Sequence, residues 1–149
     1  MTFAKKVLVA VGLTDNINDW LKPLKQMEFL KHSEIHFVHV FNTVNYSSWF
    51  GEFPLAYPVQ ADRRSIEEAV HAILTTAGEK SVPAGFEGKM VQKCLFGENP
   101  KSAFSAYANE LKADLIIIPT RHKHGFFDSS FGQYVNKHTH SNVLFLKNH

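Results

Sequence analysis

Two stretches of this chain are apolar at every position, and the remaining pattern arranges itself around them. Val7-Leu8-Val9-Ala10-Val11 and Leu115-Ile116-Ile117-Ile118 lack the alternation of a half-exposed strand. Solid apolar runs of that length mark strands covered on both faces, as in a parallel sheet. The first run ends at Gly12. The second stops at Pro119, where a basic loop begins, Thr120-Arg121-His122-Lys123-His124-Gly125, leading through Asp128-Ser129-Ser130 into a helix predicted from about Phe131 to Thr139.

Three weaker runs complete a set of five strands. Ile35 to Phe41 reads as strand two, with His36 and His39 interrupting it, so it is expected to be less fully covered than the first. Lys89 to Leu95 reads as strand three, its interleaved polar residues placing it towards a sheet edge. Val143-Leu144-Phe145-Leu146 is the last strand. Helical spacing links them: Ile17, Trp20, Leu21, Leu24, Met27 and Leu30 share one face, with Pro23 either in the first turn or at a kink. Ile66, Ala69, Val70, Ile73, Leu74 and Ala77 mark a second helix ending near Gly78, with Ser65 and Glu68 as a capping box if it starts that late. A third helix, burying Ala103, Phe104, Tyr107, Ala108 and Leu111, opens after Gly97-Glu98-Asn99-Pro100. There Asn99 can cap, and Pro100 suits the first helical position.

Strand and helix alternate four times before a final strand, which predicts a single-domain, open, doubly wound α/β sheet over 1–149 with helices on both faces. Ligands in such folds bind beyond the C-terminal ends of the strands, where the strand order reverses. The two solid runs are the natural central pair, so the loops after Gly12 and after Pro119 are expected to face each other. Small hydroxyl residues at a helix start, here Ser129 and Ser130, suit an anion.

Composition narrows the picture. At 149 residues, 44% apolar and 20% charged, the chain can bury its own core. A net charge of +2 spread along the sequence gives no support to nucleic-acid binding. No apolar run approaches the roughly 20 residues of a membrane helix, and Met1 to Val7 shows no signal-peptide cleavage pattern, so a cytoplasmic location is expected. The lone Cys94 agrees with a reducing compartment and reads as a packed, unreactive thiol. Lys101-Ser102 imitates the end of a phosphate-binding P-loop, but Pro100 stands where that motif needs Gly. Residues 46–57 carry five aromatics, Tyr46, Trp49, Phe50, Phe53 and Tyr57, in a long loop. It either folds onto the core or offers a lid or a surface for a protein partner.

Taken in order, Val7 to Val11, Val38-His39-Val40, Gly97-Glu98-Asn99-Pro100, Ala113-Asp114 with Leu115 to Ile118, Gly132, His138 and Asn142-Val143-Leu144 resemble the universal stress proteins over essentially the whole chain. The resemblance implies a five-stranded sheet in the order 3-2-1-4-5, of the adenine nucleotide alpha hydrolase-like type. It further implies a homodimer and a cytoplasmic role in stress resistance that works by binding rather than catalysis. Nucleotide-binding members of that family carry, after strand four, a Gly, two residues, a second Gly, nine residues, and a third Gly followed by Ser or Thr. Aligned on Gly132, this chain has Pro119 and His122 at the first two glycine positions and Gln133 at the hydroxyl position. Gly12 stands where those members have an Asp after strand one.

The expected site is therefore a degenerate one. Gly12, Thr14 and Val40 would form one side. Thr120, Arg121, Lys123, Ser129, Ser130, Gly132 and Gln133 would form the other. ATP is not expected as a cofactor, whereas phosphate or sulfate could bind at the helix start. The competing reading is an ATP- or anion-binding protein, or a slow phosphohydrolase, that uses the 119–133 loop despite these changes. No general-base constellation supports catalysis, and no catalytic residue is assigned. His122 and His124 with His138 and His140 lack the carboxylate or thiolate spacing of a metal site. The dimer contact is expected along Val143, Leu144, Phe145 and Leu146, an apolar edge that needs a partner.

Overall fold

The computed structural model describes residues 5–12, 17–42, 63–121 and 129–148. The strands are β1 (Lys6–Ala10), β2 (Glu34–Asn42), β3 (Lys89–Gly97), β4 (Leu115–Arg121) and β5 (Asn142–Asn148). They form one sheet in the order β3-β2-β1-β4-β5, parallel at every pairing. Among the described residues four α-helices join them: α1 (Ile17–Leu21), α2 (Arg63–Ser81), α3 (Pro100–Leu111) and α4 (Ser129–His138). The expected fold class and strand order are both present.

The solid apolar runs arise from the two layers they serve. Alternate residues of a strand point to opposite faces. Val7, Val9, Phe37 and Ile117 meet Leu21 of α1 and Val70 and Leu74 of α2 on one face. Leu8, Ala10, Val38, Ile116 and Ile118 meet Phe104 and Ala108 of α3 and Phe131 and Val135 of α4 on the other. The Phe104 and Phe131 rings lie 5.4 Å apart and join α3 to α4. Each buried Val, Leu, Ile or Phe among them contributes roughly 1.5–3 kcal/mol.

Several boundaries differ from the sequence expectation. The first helix is only one turn long. Pro23 cannot donate an i to i−4 bond, and the chain beyond Leu21 tightens into two 3-10 turns, Lys22–Gln26 and Glu28–His32. Helix α2 starts at Arg63, ahead of Ser65, so Ser65 and Glu68 are not its capping box, and it runs past Gly78 to Ser81. Gly78 is instead a contact point: a Cβ there would lie 2.9 Å from the Phe37 ring, so glycine lets α2 approach the sheet. From Ile35 to Phe41 strand β2 is fully covered rather than weakly so, with His36 at 5% and His39 at 0% exposure. Helix α3 begins as expected, the Asn99 side chain accepting from the Ser102 amide at 3.4 Å with Pro100 in its first turn. Of its predicted core face, Phe104 and Ala108 are buried, while Ala103, Tyr107 and Leu111 are only partly so.

Strand β4 does not stop before Pro119. It continues through Thr120 to Arg121, and Pro119 sits opposite Leu146. The pairing of β4 with β1 has ended two residues earlier, at Val9 opposite Ile117. Proline is tolerated where one side of a strand lacks a partner.

The start of β3 is fixed by a backbone contact. A Cβ built at Gly88 would collide with the Ser33 carbonyl oxygen, which also accepts the Lys89 amide at 3.1 Å. That oxygen belongs to the chain entering β2 and cannot swing aside as a side chain would. Gly88→Ala should therefore lower the urea midpoint by the equivalent of about 1–3 kcal/mol. An unchanged midpoint would mean that the two strand starts are looser than this geometry describes.

Candidate functional site

The strand order reverses between β1 and β4. The β1–β4 ladder ends at Val9 opposite Ile117, while β1–β2 pairing continues to Ala10 opposite Val38 and β4–β5 pairing to Arg121 opposite Asn148. Beyond Ile117 the two central strands are no longer paired, and the switch point at their C-terminal ends is where a doubly wound fold takes its ligand. Val11 extends the β1 side, its amide donating to the Val38 carbonyl at 2.8 Å. Gly12 comes next and is buried. On the other side lie Pro119, which is buried, and Thr120 and Arg121 at the end of β4.

The fold distributes the remaining candidate residues unevenly. Val40 is only 3% exposed and belongs to the core under α3 and α4, so its side chain is packing rather than crevice lining. Helix α4 starts at Ser129, two residues earlier than expected, with Ser130 and Gln133 exposed in its first half. Gly132 is buried, and a Cβ there would collide with the Phe145 ring of β5. A side chain at this position would have to displace the half-exposed Phe145 ring, so close packing of α4 on β5 is one reason for glycine here. Thr14, Lys123, His122, His124 and the aromatic segment 46–57 lie outside the described residues.

Sequence reasoning passed over His39 as a mark of weak coverage. Its Nδ1 donates to the Val11 carbonyl at 2.9 Å, tying β2 to the backbone that borders the crevice. Burial pushes the imidazole down to about 4, the bond to Val11 acting the other way. The unfolded chain protonates this ring near 6.5 while the folded chain keeps it neutral. Stability is therefore complete above 6.5 and falls as the pH drops towards about 4, by roughly 3 kcal/mol. His39→Gln, which keeps a donor for Val11, should flatten that limb of a urea-unfolding pH profile. A wild-type limb as flat as the variant's would contradict a buried neutral ring.

The other polar groups of the sheet have structural partners. At the opposite end of β2, His36 Nε2 lies 2.7 Å from Glu34 Oε2 and its Nδ1 lies 2.8 Å from the Tyr107 hydroxyl, linking β2 to α3. The hydrogen bond to His36 holds the Glu34 carboxyl below the usual range, and burial pushes the Tyr107 phenol up. Cys94 packs against the first core, and burial pushes its thiol up to about 12, so it stays protonated. His138 Nδ1 donates to the Tyr134 carbonyl at 2.8 Å, and the two rings stack 3.9 Å apart. Among the described residues, no three His, Cys, Asp or Glu side chains converge on one point. Among those residues, too, no helix is long and apolar enough to cross a membrane.

A parallel 3-2-1-4-5 sheet with its crevice at the β1/β4 switch point defines the class as an α/β domain of the adenine nucleotide alpha hydrolase-like type. The sequence pattern of the Universal stress protein family matches residues 4–147, and the chain belongs to that family. Solved structures agree on the fold. A universal stress protein from Archaeoglobus fulgidus is 16% identical, with a TM-score of 0.61 and 97% of this chain and 95% of that one covered. The universal stress protein UspA from Lactobacillus plantarum is 19% identical at a TM-score of 0.61, with 95% and 97% covered. A universal stress protein in complex with cAMP is 14% identical at 0.63, with 95% and 96% covered. Among curated proteins, none matches.

Proposed function

We propose that this universal stress protein domain acts in the cytoplasm as a homodimer, by binding rather than by catalysis, and that its nucleotide site is degenerate. The observation that carries the reading is what has become of the phosphate-loop glycines. The position of the first is Pro119, a strand residue with no N–H to offer. The second is His122. The third, Gly132, remains, and its side-chain direction faces the Phe145 ring. With Gly12 in place of the acidic residue after β1, the sequence departs from the nucleotide-binding pattern on both sides of the switch point.

Dimerisation is supported by the edge strand β5. Leu146 is buried in one core, while Val143 packs only partly buried against the other and stays with Leu144 and Phe145 on the expected contact edge. Leu144 and Phe145 stay 36% and 41% exposed on an edge that no described element pairs with. Such an edge is an aggregation hazard unless a two-fold copy covers it. Sedimentation velocity at micromolar concentration tests the assembly, with a dimer expected and a monomer overturning it.

The complex of a related structure with cAMP favours a second reading, in which this crevice takes a nucleotide or a smaller anion through Arg121, Lys123 and the Ser129–Ser130 helix start. Calorimetry separates the two readings.

A further inference from the structure

The sheet has a second edge, and its chemistry differs from that of β5. Strand β3 pairs with β2 along all of its length, from Lys89 opposite Glu34 to Gly97 opposite Asn42, and among the described residues nothing pairs with its outer side. The Lys89 amide donates inward to Ser33. In a parallel ladder, alternate residues bond to opposite sides, so Met90, Gln92, Cys94 and Phe96 turn their N–H and C=O groups outward. These residues are also only half buried, although α2 lies above them.

The space between is a groove of about 320 Å³. Arg63, Glu67 and His71 of α2, spaced one turn apart, form its wall, and Gln92, Cys94 and Phe96 form its floor. The floor is preorganised: Phe96 packs on Phe41 with ring centroids 5.6 Å apart, and the Arg63 guanidinium sits 4.4 Å above it. Arg63 is held there by Glu67 at 3.2 Å. An open strand edge flanked by a helix and a pocket is the arrangement by which a sheet takes up an extended peptide. The backbone provides affinity, and the pocket selects alternate side chains.

Charge decides which strand fits. Lys89 and Lys93 are both exposed and lie on the same face of β3, four residues apart. A second copy of β3, pairing antiparallel, would set these lysines against its own, and like charges directly opposite are destabilising. An acidic strand reverses the sign. We propose that the β3 edge and the α2 groove bind an extended acidic segment of another protein, with carboxylates facing Lys89 and Lys93 and apolar or aromatic side chains between them entering the groove beside Gln92 and Cys94.

The probe is a capped eight-residue peptide alternating Asp with Val and Phe, titrated into the isotopically labelled full chain to about 1 mM while amide resonances are followed. The Gln92, Cys94 and Phe96 amides should shift and exchange more slowly with solvent, and Lys93→Glu, a surface change that leaves the fold intact, should weaken binding about fivefold. The same peptide with Lys replacing Asp should not bind. Unshifted β3 amides, shifts confined to β5, or equal binding of the lysine peptide would each overturn the proposal. The outcome does not depend on the dimer or on the nucleotide crevice.

Discussion

ATP titrated into this protein at tens of micromolar should give no heat of binding. A phosphate loop works by bringing several backbone N–H groups to within hydrogen-bonding distance of phosphate oxygens, and glycine is what permits that approach. Pro119 removes one donor outright and is committed to β4, opposite Leu146. Gly132, the surviving glycine, is buried where α4 rests on Phe145. Each charge-assisted hydrogen bond is worth roughly 1.5–3 kcal/mol. Losing two of them raises a micromolar dissociation constant about a thousandfold, to millimolar. Positive charge at Arg121 and Lys123 recovers part of this for a small anion, so phosphate or sulfate should bind weakly at most. A low-micromolar constant for ATP would mean that other residues of the crevice make the site.

Replacing Leu144 with lysine should convert a dimer into folded monomer. Leu144 is exposed on the edge strand, whereas Leu146 on the same face is buried in the core. Leu144→Lys therefore alters the outer contact and spares the interior, and Leu146→Lys should unfold the chain instead. A two-fold interface carries every substitution twice. Loss of the remaining leucine contact from both copies, with two ammonium groups brought near each other and partly desolvated, should cost about 3 kcal/mol or more, roughly a hundredfold in dissociation constant. Sedimentation of the variant with an unchanged circular-dichroism melt checks this. A variant that remains dimeric at low micromolar concentration would place the interface elsewhere.

The sheet was legible in the sequence because it is covered on both sides. Val7 to Val11 and Leu115 to Ile118 supply two cores at once and so have no polar positions to confuse the reading. Strand β3 was legible for the opposite reason, since its half-covered edge keeps lysines in the run. The errors fall where a local rule met a tertiary exception. Histidines in β2 looked like weak coverage, but a buried imidazole is acceptable when a carbonyl or a carboxylate meets it, as Val11 and Glu34 do. Pro119 looked like a stop, yet the strand continues beyond the last β1 rung. Gly78 looked like a helix end and is a contact with Phe37. The crevice was legible only as a place. Topology sets its position, whereas Val40 lies in the core and Gly132 packs against the Phe145 ring.

Native mass spectrometry of protein purified without added nucleotide tests the central claim most directly, because it reads subunit number and retained ligand together. The expected species is twice the 16.9 kDa chain mass with no nucleotide attached. A single 16.9 kDa chain, or a species carrying the added mass of an adenine nucleotide, would contradict a dimeric universal stress protein with a degenerate site.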